Sequence, residues 1–305
     1  MQNSTSLPRE YKTPQAFKTA VEHRLRAAIE RSGIGVGRAR QLMIFHRFLA
    51  RVFAQFGNQV VVKGGVVVEL RVERARTTRD VDLRFTGSQD GLAEALRSAG
   101  RLDLGDFLSF EIAPVADRSR IQGAGVIYEG FRFRAEAKLA GRIYGMPFGV
   151  DVAFADVLTV KPEIIEGSNF LDFLGVPTPK FCVYPRETHI AEKLHAYTLP
   201  RVSENSRVKD LPDIALLATT GTLDSAVLRN AIYETFAFRK SHPVPVSIAD
   251  PPASWSAVYQ RIARDDQLPW DRLELVVDRV RQFLMPVLDD RGGWWSPTSW
   301  RWEMG

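Results

Sequence analysis

Three consecutive valines, Val60–Val62, run through Lys63 into a diglycine, Gly64-Gly65, and about fifteen residues later the chain reads Asp80-Val81-Asp82-Leu83. An apolar run that stops at glycine reads as a buried strand, and the alternation of Val81, Leu83 and Phe85 reads as its neighbour. Side chains on a strand alternate, so Asp80 and Asp82 leave one face while Val81 and Leu83 enter the other. This order constrains the chain to a sheet that hides one face and carries a pair of carboxylates on the opposite one. Such a pair can hold Mg²⁺, which takes a few carboxylate oxygens together with substrate phosphates. Asp-x-Asp can also be a solvated strand edge. The glycines favour the metal reading: they let the backbone turn tightly, and a helix opening near Val66 offers its first amides to anionic oxygens.

Farther along stand Glu192-Lys193-Leu194-His195-Ala196 and Lys209-Asp210-Leu211-Pro212-Asp213. Together with Gly64-Gly65 and the Arg76-x-Thr78-x-Asp80-x-Asp82 segment, and in this order, they resemble the AbiEii/AbiGii nucleotidyltransferase toxins. That family is the toxic half of type IV toxin–antitoxin systems and a branch of the DNA polymerase beta-like superfamily. The resemblance covers roughly residues 40 to 220. It departs at Val66, where the family usually has a small or hydroxyl residue, and at Arg79, where an acidic residue often precedes the first Asp; neither departure removes a carboxylate.

The resemblance implies an α/β fold, a nucleotidyltransferase-like mixed sheet core flanked by helices, with a C-terminal helical bundle. We expect a catalytic domain over 1–184, including the N-terminal helices, and a helical domain over 185–305. The implied activity is metal-dependent transfer of a nucleoside monophosphate from an NTP to an acceptor hydroxyl, with release of pyrophosphate. The implied acceptor is the tRNA 3′ end, whose modification stops translation, and the implied partner is an antitoxin encoded alongside. Mg²⁺ or Mn²⁺ would sit on Asp80 and Asp82. Val150-Asp151-Val152 puts a single carboxylate between branched apolar residues, as a third ligand on a neighbouring strand requires; Asp151 is the candidate third ligand and base, with Asp156 the alternative. Lys63, Gly64, Gly65, Arg76 and Thr78 would hold the nucleotide. Lys193 falls where the family has a required lysine, whose ammonium suits the charge shifting onto pyrophosphate. Asp210 would orient Lys193 or an arginine, Lys209 completes the Lys-Asp pair that the family has here, Arg207 is a further phosphate contact, and Asp213 favours a helix N-terminus.

The remaining pattern supplies a frame. Thr13-Pro14 caps a helix to about Ser32, and a second helix runs from about Val36 to Phe56 with a broad apolar face ending at Gly57. Their arginines read as a solvated face. A short helix over Gly91–Ser98 precedes strands near Phe107–Ile112, Gly125–Tyr128, Phe131–Leu139 and Phe148–Phe154. Helices follow over Pro185–Leu199, Asp210–Thr219, Thr222–Phe236, Ser254–Arg264 and Trp270–Met285. His189 and His195 lie six residues apart, on different helix faces, and make no metal pair. Trp294, Trp295, Trp300 and Trp302 either stack on unpaired bases or seal a small helical core.

Composition excludes more than it selects. One cysteine, Cys182, leaves neither an intrachain disulfide nor a cysteine zinc cluster, and it reads as a buried small residue. No run of about eighteen apolar residues occurs, and the N-terminus lacks a signal pattern, so a soluble cytoplasmic protein without membrane contact is expected. Neither a P-loop nor a kinase catalytic loop is present. The net charge of +5 favours polyanionic partners weakly. A transferase acting on a protein or small molecule, and a non-catalytic nucleic-acid binder, are the alternatives.

Overall fold

The computed structural model describes residues 11–32, 35–72, 75, 77–115, 122–123, 126–127, 130–154, 158–168, 170–172, 175–201 and 207–304. Helix α1 (Pro14–Ser32) begins where Thr13 Oγ1 accepts the Ala16 amide at 3.2 Å. Helix α2 (Val36–Phe56) stops at Gly57, whose φ of 56° turns the chain out of the helix. Strand β1 (Val60–Lys63) passes directly into α3 (Gly64–Arg71), and β2 (Asp80–Phe85) follows. After α4 (Leu92–Arg101) come β3 (Leu108–Pro114), β4 (Gln122–Gly123), β5 (Val126–Ile127), β6 (Gly130–Leu139), β7 (Arg142–Ile143) and β8 (Phe148–Ala153). Two short strands, β9 (Glu163–Glu166) and β10 (Lys180–Val183), complete the main sheet.

Its strand order is β3-β6-β8-β2-β1-β10-β9, with β7 paired to β6. The β2–β8 and β1–β10 pairs are parallel and the others antiparallel, so the sheet is mixed. One face carries Val60, Val62, Val81, Leu83, Phe85, Phe133, Val150, Val152 and Phe181 into a core with Phe17 of α1, Phe45 and Phe48 of α2 and Leu96 of α4. Burying that face is what fixes the register of every strand, because a slip of one residue would exchange the apolar and polar sets.

The second half is helical: α5 (Arg186–Thr198), α6 (Asp210–Ala218), α7 (Ser225–Arg239), α8 (Trp255–Asp265) and α9 (Leu273–Leu288), closed by a hairpin of β11 (Trp294–Ser296) and β12 (Arg301–Glu303). These elements share a second core, to which α3 lends Val68 while giving Val66 and Val67 to the first. Val66 is therefore a core residue, and its departure from the family pattern does not reach the polar face. The tryptophans seal this core. Trp295 is fully buried and donates its Nε1–H to Ala218 O at 2.8 Å, while Trp302 stacks on Phe283 and donates to its carbonyl at 2.8 Å. Trp294 alone of the group stays largely exposed.

Candidate active site

The polar face of the sheet carries a row of charges set by strand register. Lys63 on β1 pairs with Asp82 on β2, Asp82 with Asp151 on β8, and Asp151 with Arg132 on β6. Cross-strand partners share a face, so cations stand at the two ends of this row and carboxylates in the middle. One step along, Asp80 pairs with Gly149. The strand-alternation reading of Asp80 and Asp82 thus extends across four strands.

Glycines make room for both carboxylates. Gly64 adopts φ +69°, and a Cβ there would lie 1.8 Å from Asp82 Oδ2. A Cβ on Gly149 would lie 2.4 Å from Asp80 Oδ1. Gly65, buried, opens α3 beside them. Burial, then the Asp151 and Asp80 charges, raise the Asp82 pKa from 3.8 to about 6, although Lys63 and Lys193 pull the other way. A carboxylate burdened by like charges is one that gains from a bound cation.

The carboxylates on this face are aspartates, whose hard oxygen atoms are of the kind that suits Mg²⁺ or Mn²⁺. Among the described residues no group of three or more His, Cys, Asp or Glu converges into a metal cage by itself. Asp151 instead faces Arg132, which donates Nε–H to Oδ1 at 2.7 Å and Nη2–H to Oδ2 at 2.5 Å. The Asp80–Asp82 pair therefore fits a cation shared with substrate phosphates. Asp156 and Arg76 lie outside the described residues.

The two lysines reach this face from different elements. Lys63 Nζ sits 3.2 Å from Glu192 Oε2 and 5.2 Å above the Tyr184 ring, and Arg239 shares Glu192 at 3.3 Å. Lys193, buried on α5, meets Asp213 Oδ2 at 2.5 Å and Asp210 Oδ1 at only 3.9 Å. The sequence assigns Lys193 or an arginine to Asp210; the structure gives Asp210 to Arg207, through bonds of 2.6 and 3.1 Å, and gives Lys193 to Asp213. Its place in the sequence marks Asp213 only as a helix-terminus charge. A usable signal lay in its spacing, since 210 and 213 share one face of α6.

Thr78, expected at the nucleotide, is buried. Its amide donates to Glu69 Oε1 at 2.7 Å and its hydroxyl lies 3.4 Å from Asp80 O, so it anchors the start of β2. Next to it, Thr77 donates its amide and hydroxyl to Asp266 Oδ1 at 3.0 and 2.7 Å, and Arg38 touches Glu69, Asp266 and the Ala75 carbonyl. The segment that delivers Asp80 is thus tied both to α3 and to the connection between α8 and α9. His189 and His195 are buried, and His195 Nε2 contacts Ser241 Oγ at 2.7 Å. Cys182 is half-buried, its thiol pKa pushed up by burial.

A mixed sheet presenting Asp-x-Asp beside a glycine turn, with a lysine brought in from a following helix, is the framework of a nucleotidyltransferase. The chain belongs to the family of nucleotidyl transferase AbiEii toxins of type IV toxin–antitoxin systems, whose model matches residues 47–282. It is therefore a nucleotidyltransferase toxin, a class defined by an NTP substrate and a cognate antitoxin, and the non-catalytic alternative is set aside. The fold is similar to that of MenT4, a nucleotidyltransferase toxin of Mycobacterium tuberculosis, with a TM-score of 0.57, 16% identity, and coverage of 93% of this chain and 92% of that one. JHP933 of Helicobacter pylori aligns over 82% of this chain and 92% of its own at 13% identity and a TM-score of 0.44. No curated protein sequence matches the chain. Among the described residues no helix is long and apolar enough to cross a membrane.

Proposed function

We propose that the protein transfers a nucleoside monophosphate from an NTP to the 3′-terminal hydroxyl of tRNA in a metal-dependent reaction, and that this blocks translation. The observation that carries the reaction is the register that sets Asp82 beside Asp151, with Asp80 one step along and a glycine against each of Asp80 and Asp82. Asp80 and Asp82, with Asp151 as third ligand, would hold Mg²⁺ or Mn²⁺. When bound, such a cation neutralises phosphate charge and lowers the pKa of the attacking hydroxyl.

The protein's own groups do the rest. The turn at Gly64-Gly65 and the first amides of α3 receive phosphate oxygens. Lys63 and Lys193 place positive charge beside them, and Asp213 fixes the Lys193 ammonium. The acceptor oxygen attacks the α-phosphorus, the bond from that phosphorus to the bridging oxygen breaks, and pyrophosphate leaves with the electron pair. Asp151 is the candidate acceptor of the hydroxyl proton. Burial and the neighbouring carboxylates raise the Asp82 pKa, so in the metal-free protein a cation and a proton compete for this carboxylate and cation binding weakens as pH falls.

The tRNA acceptor rests on the family resemblance. The test is incubation of wild-type protein and Asp80→Ala with total tRNA, Mg²⁺ and each of the four α-labelled NTPs. Label entering tRNA from one NTP, and lost in the variant, is the expected result. Label entering protein or a small molecule instead would replace the acceptor assignment.

A further inference from the structure

The cations around the carboxylates are not equivalent. Lys63 is paired with Glu192 and Lys193 with Asp213, both outside the Asp80–Asp82–Asp151 group. Arg132 is different, because the acid it holds is one of the three site carboxylates, gripped by a two-bond fork. A fork of this kind satisfies both oxygens of the carboxylate and competes with any cation that needs them. Asp80 and Asp82 also act on the Arg132 charge, so the guanidinium sits in the field of the whole acidic group.

Its surroundings permit movement. The Arg132 side chain is 38% exposed whereas that of Asp151 is 14% exposed, so the guanidinium covers its partner from the solvent side. The next residue, Phe133, is buried in the first core and holds the β6 backbone in place. An arginine has a long stem and a planar fork equally suited to carboxylate and phosphate. A divalent ion reaching Asp151 would repel the guanidinium and at the same time bring phosphates within its reach.

We propose that Arg132 is a displaceable counter-ion: it occupies Asp151 until a divalent cation takes that carboxylate, and then turns to the phosphates of the incoming nucleotide. This inference rests on the metal-dependent reading above. It makes Arg132 a positioning residue for Asp151 and gives the variant two effects of opposite sign. Without Arg132 the bare cation binds more tightly, and the cation–phosphate complex binds less tightly.

The test uses the full chain. Mn²⁺ binding is followed by the electron paramagnetic resonance signal of the free ion, and binding of Mn²⁺–tripolyphosphate by titration calorimetry, for wild type, Asp82→Asn, Arg132→Gln and Arg132→Lys. Arg132→Gln is expected to bind Mn²⁺ about tenfold tighter and Mn²⁺–tripolyphosphate about tenfold weaker, with a lowered metal-free Tm because Asp151 loses its counter-charge beside Asp80 and Asp82. Arg132→Lys is expected to regain most of the tripolyphosphate affinity. Arg132→Gln binding Mn²⁺ no better than wild type overturns the counter-ion, and unchanged tripolyphosphate affinity overturns its second role. If Asp82→Asn leaves Mn²⁺ binding intact, the metal-dependent reading itself fails, whereas loss in Asp82→Asn with no gain in Arg132→Gln removes this inference alone.

Discussion

Asp106 and Asp82 are both drawn out of bulk water, yet they end in opposite electrostatic states. Asp106, in the connection from α4 to β3, is fully buried and receives Arg47 Nε at 2.5 Å, Arg51 Nη1 and Nη2 at 3.0 and 2.5 Å, and the Leu108 amide at 3.1 Å. Burial alone would raise its pKa, but the Arg51 and Arg47 bonds and charges outweigh it and hold the carboxyl below its ordinary value. Asp82 is raised to about 6, by burial first and then by the Asp151 and Asp80 charges. The cations near it are committed to Glu192 and Asp213. Asp106, which holds two elements together, has its counter-charge supplied by direct hydrogen bonds, whereas at Asp82 the Lys63 and Lys193 charges fall short of offsetting burial and the neighbouring carboxylates, as the proposed cation site would need.

The first way to break this contrast is Arg51→Ala. Leaving Asp106 buried with half its partners removed should cost about 3–5 kcal/mol in urea unfolding at pH 7. The stability that Asp106 contributes is present above about pH 4 and is lost as pH falls through its lowered folded pKa. Asp82→Asn should act in the other sense. The wild-type native state binds more protons than the unfolded chain between the unfolded pKa of 3.8 and the folded value near 6, so stability falls as pH rises through that window. Removing the charge should stabilise the protein by about 3 kcal/mol at pH 7 and flatten that slope, while transfer drops at least about a hundredfold. A destabilised Asp82→Asn would show that the site carboxylates are compensated after all.

Gly64→Ala sharpens the comparison without touching a charge. The positive φ at this position costs a side chain about 1–2 kcal/mol, and the new methyl would collide with the Asp82 carboxylate. Activity should fall with the carboxylates all present, measured by label transfer alongside Tm. The smallest effect is expected from Asp266→Ala, which releases Thr77 from the helical half. We expect a loss of about 1 kcal/mol and a reduction in turnover of a few fold, read as kcat with little change in KM.

Much of this architecture was legible, because buried faces write themselves as periodicity. Strands β1, β2, β6 and β8 and helices α1, α2 and α5 stand where apolar spacing puts them. Helix α7 starts at Ser225, later than Thr222, because the Asp224 side chain accepts the Ala226 and Val227 amides and so sets the first turn. Helix α9 starts at Leu273 because Trp270 is spent on the core, its carbonyl accepting the Tyr259 hydroxyl at 2.7 Å. Strands β9 and β10 leave little pattern in the sequence. They are four residues each, and Ile164 at 66% exposure gives β9 no buried alternation to detect. At the site, Asp80 and Asp82 follow from alternation within one strand. The Arg132–Asp151 fork follows only from the antiparallel register of β6 on β8, and the Lys193–Asp213 bond only from the way α5 meets α6. Neither relation is local, so neither leaves a pattern in its own segment.

The parallel pairing of β2 with β8 also has a consequence in time. A parallel pair cannot close through a tight turn, and contacts between distant segments form slowly. Asp82 acquires its neighbour only after residue 151 has been made, and Lys193 acquires Asp213 only after α6 has docked. At the usual pace of synthesis, on the order of ten residues per second, roughly ten seconds separate the emergence of β2 from that of α6. Throughout that interval the growing chain carries Asp80 and Asp82 without the neighbours that β8 and α6 supply.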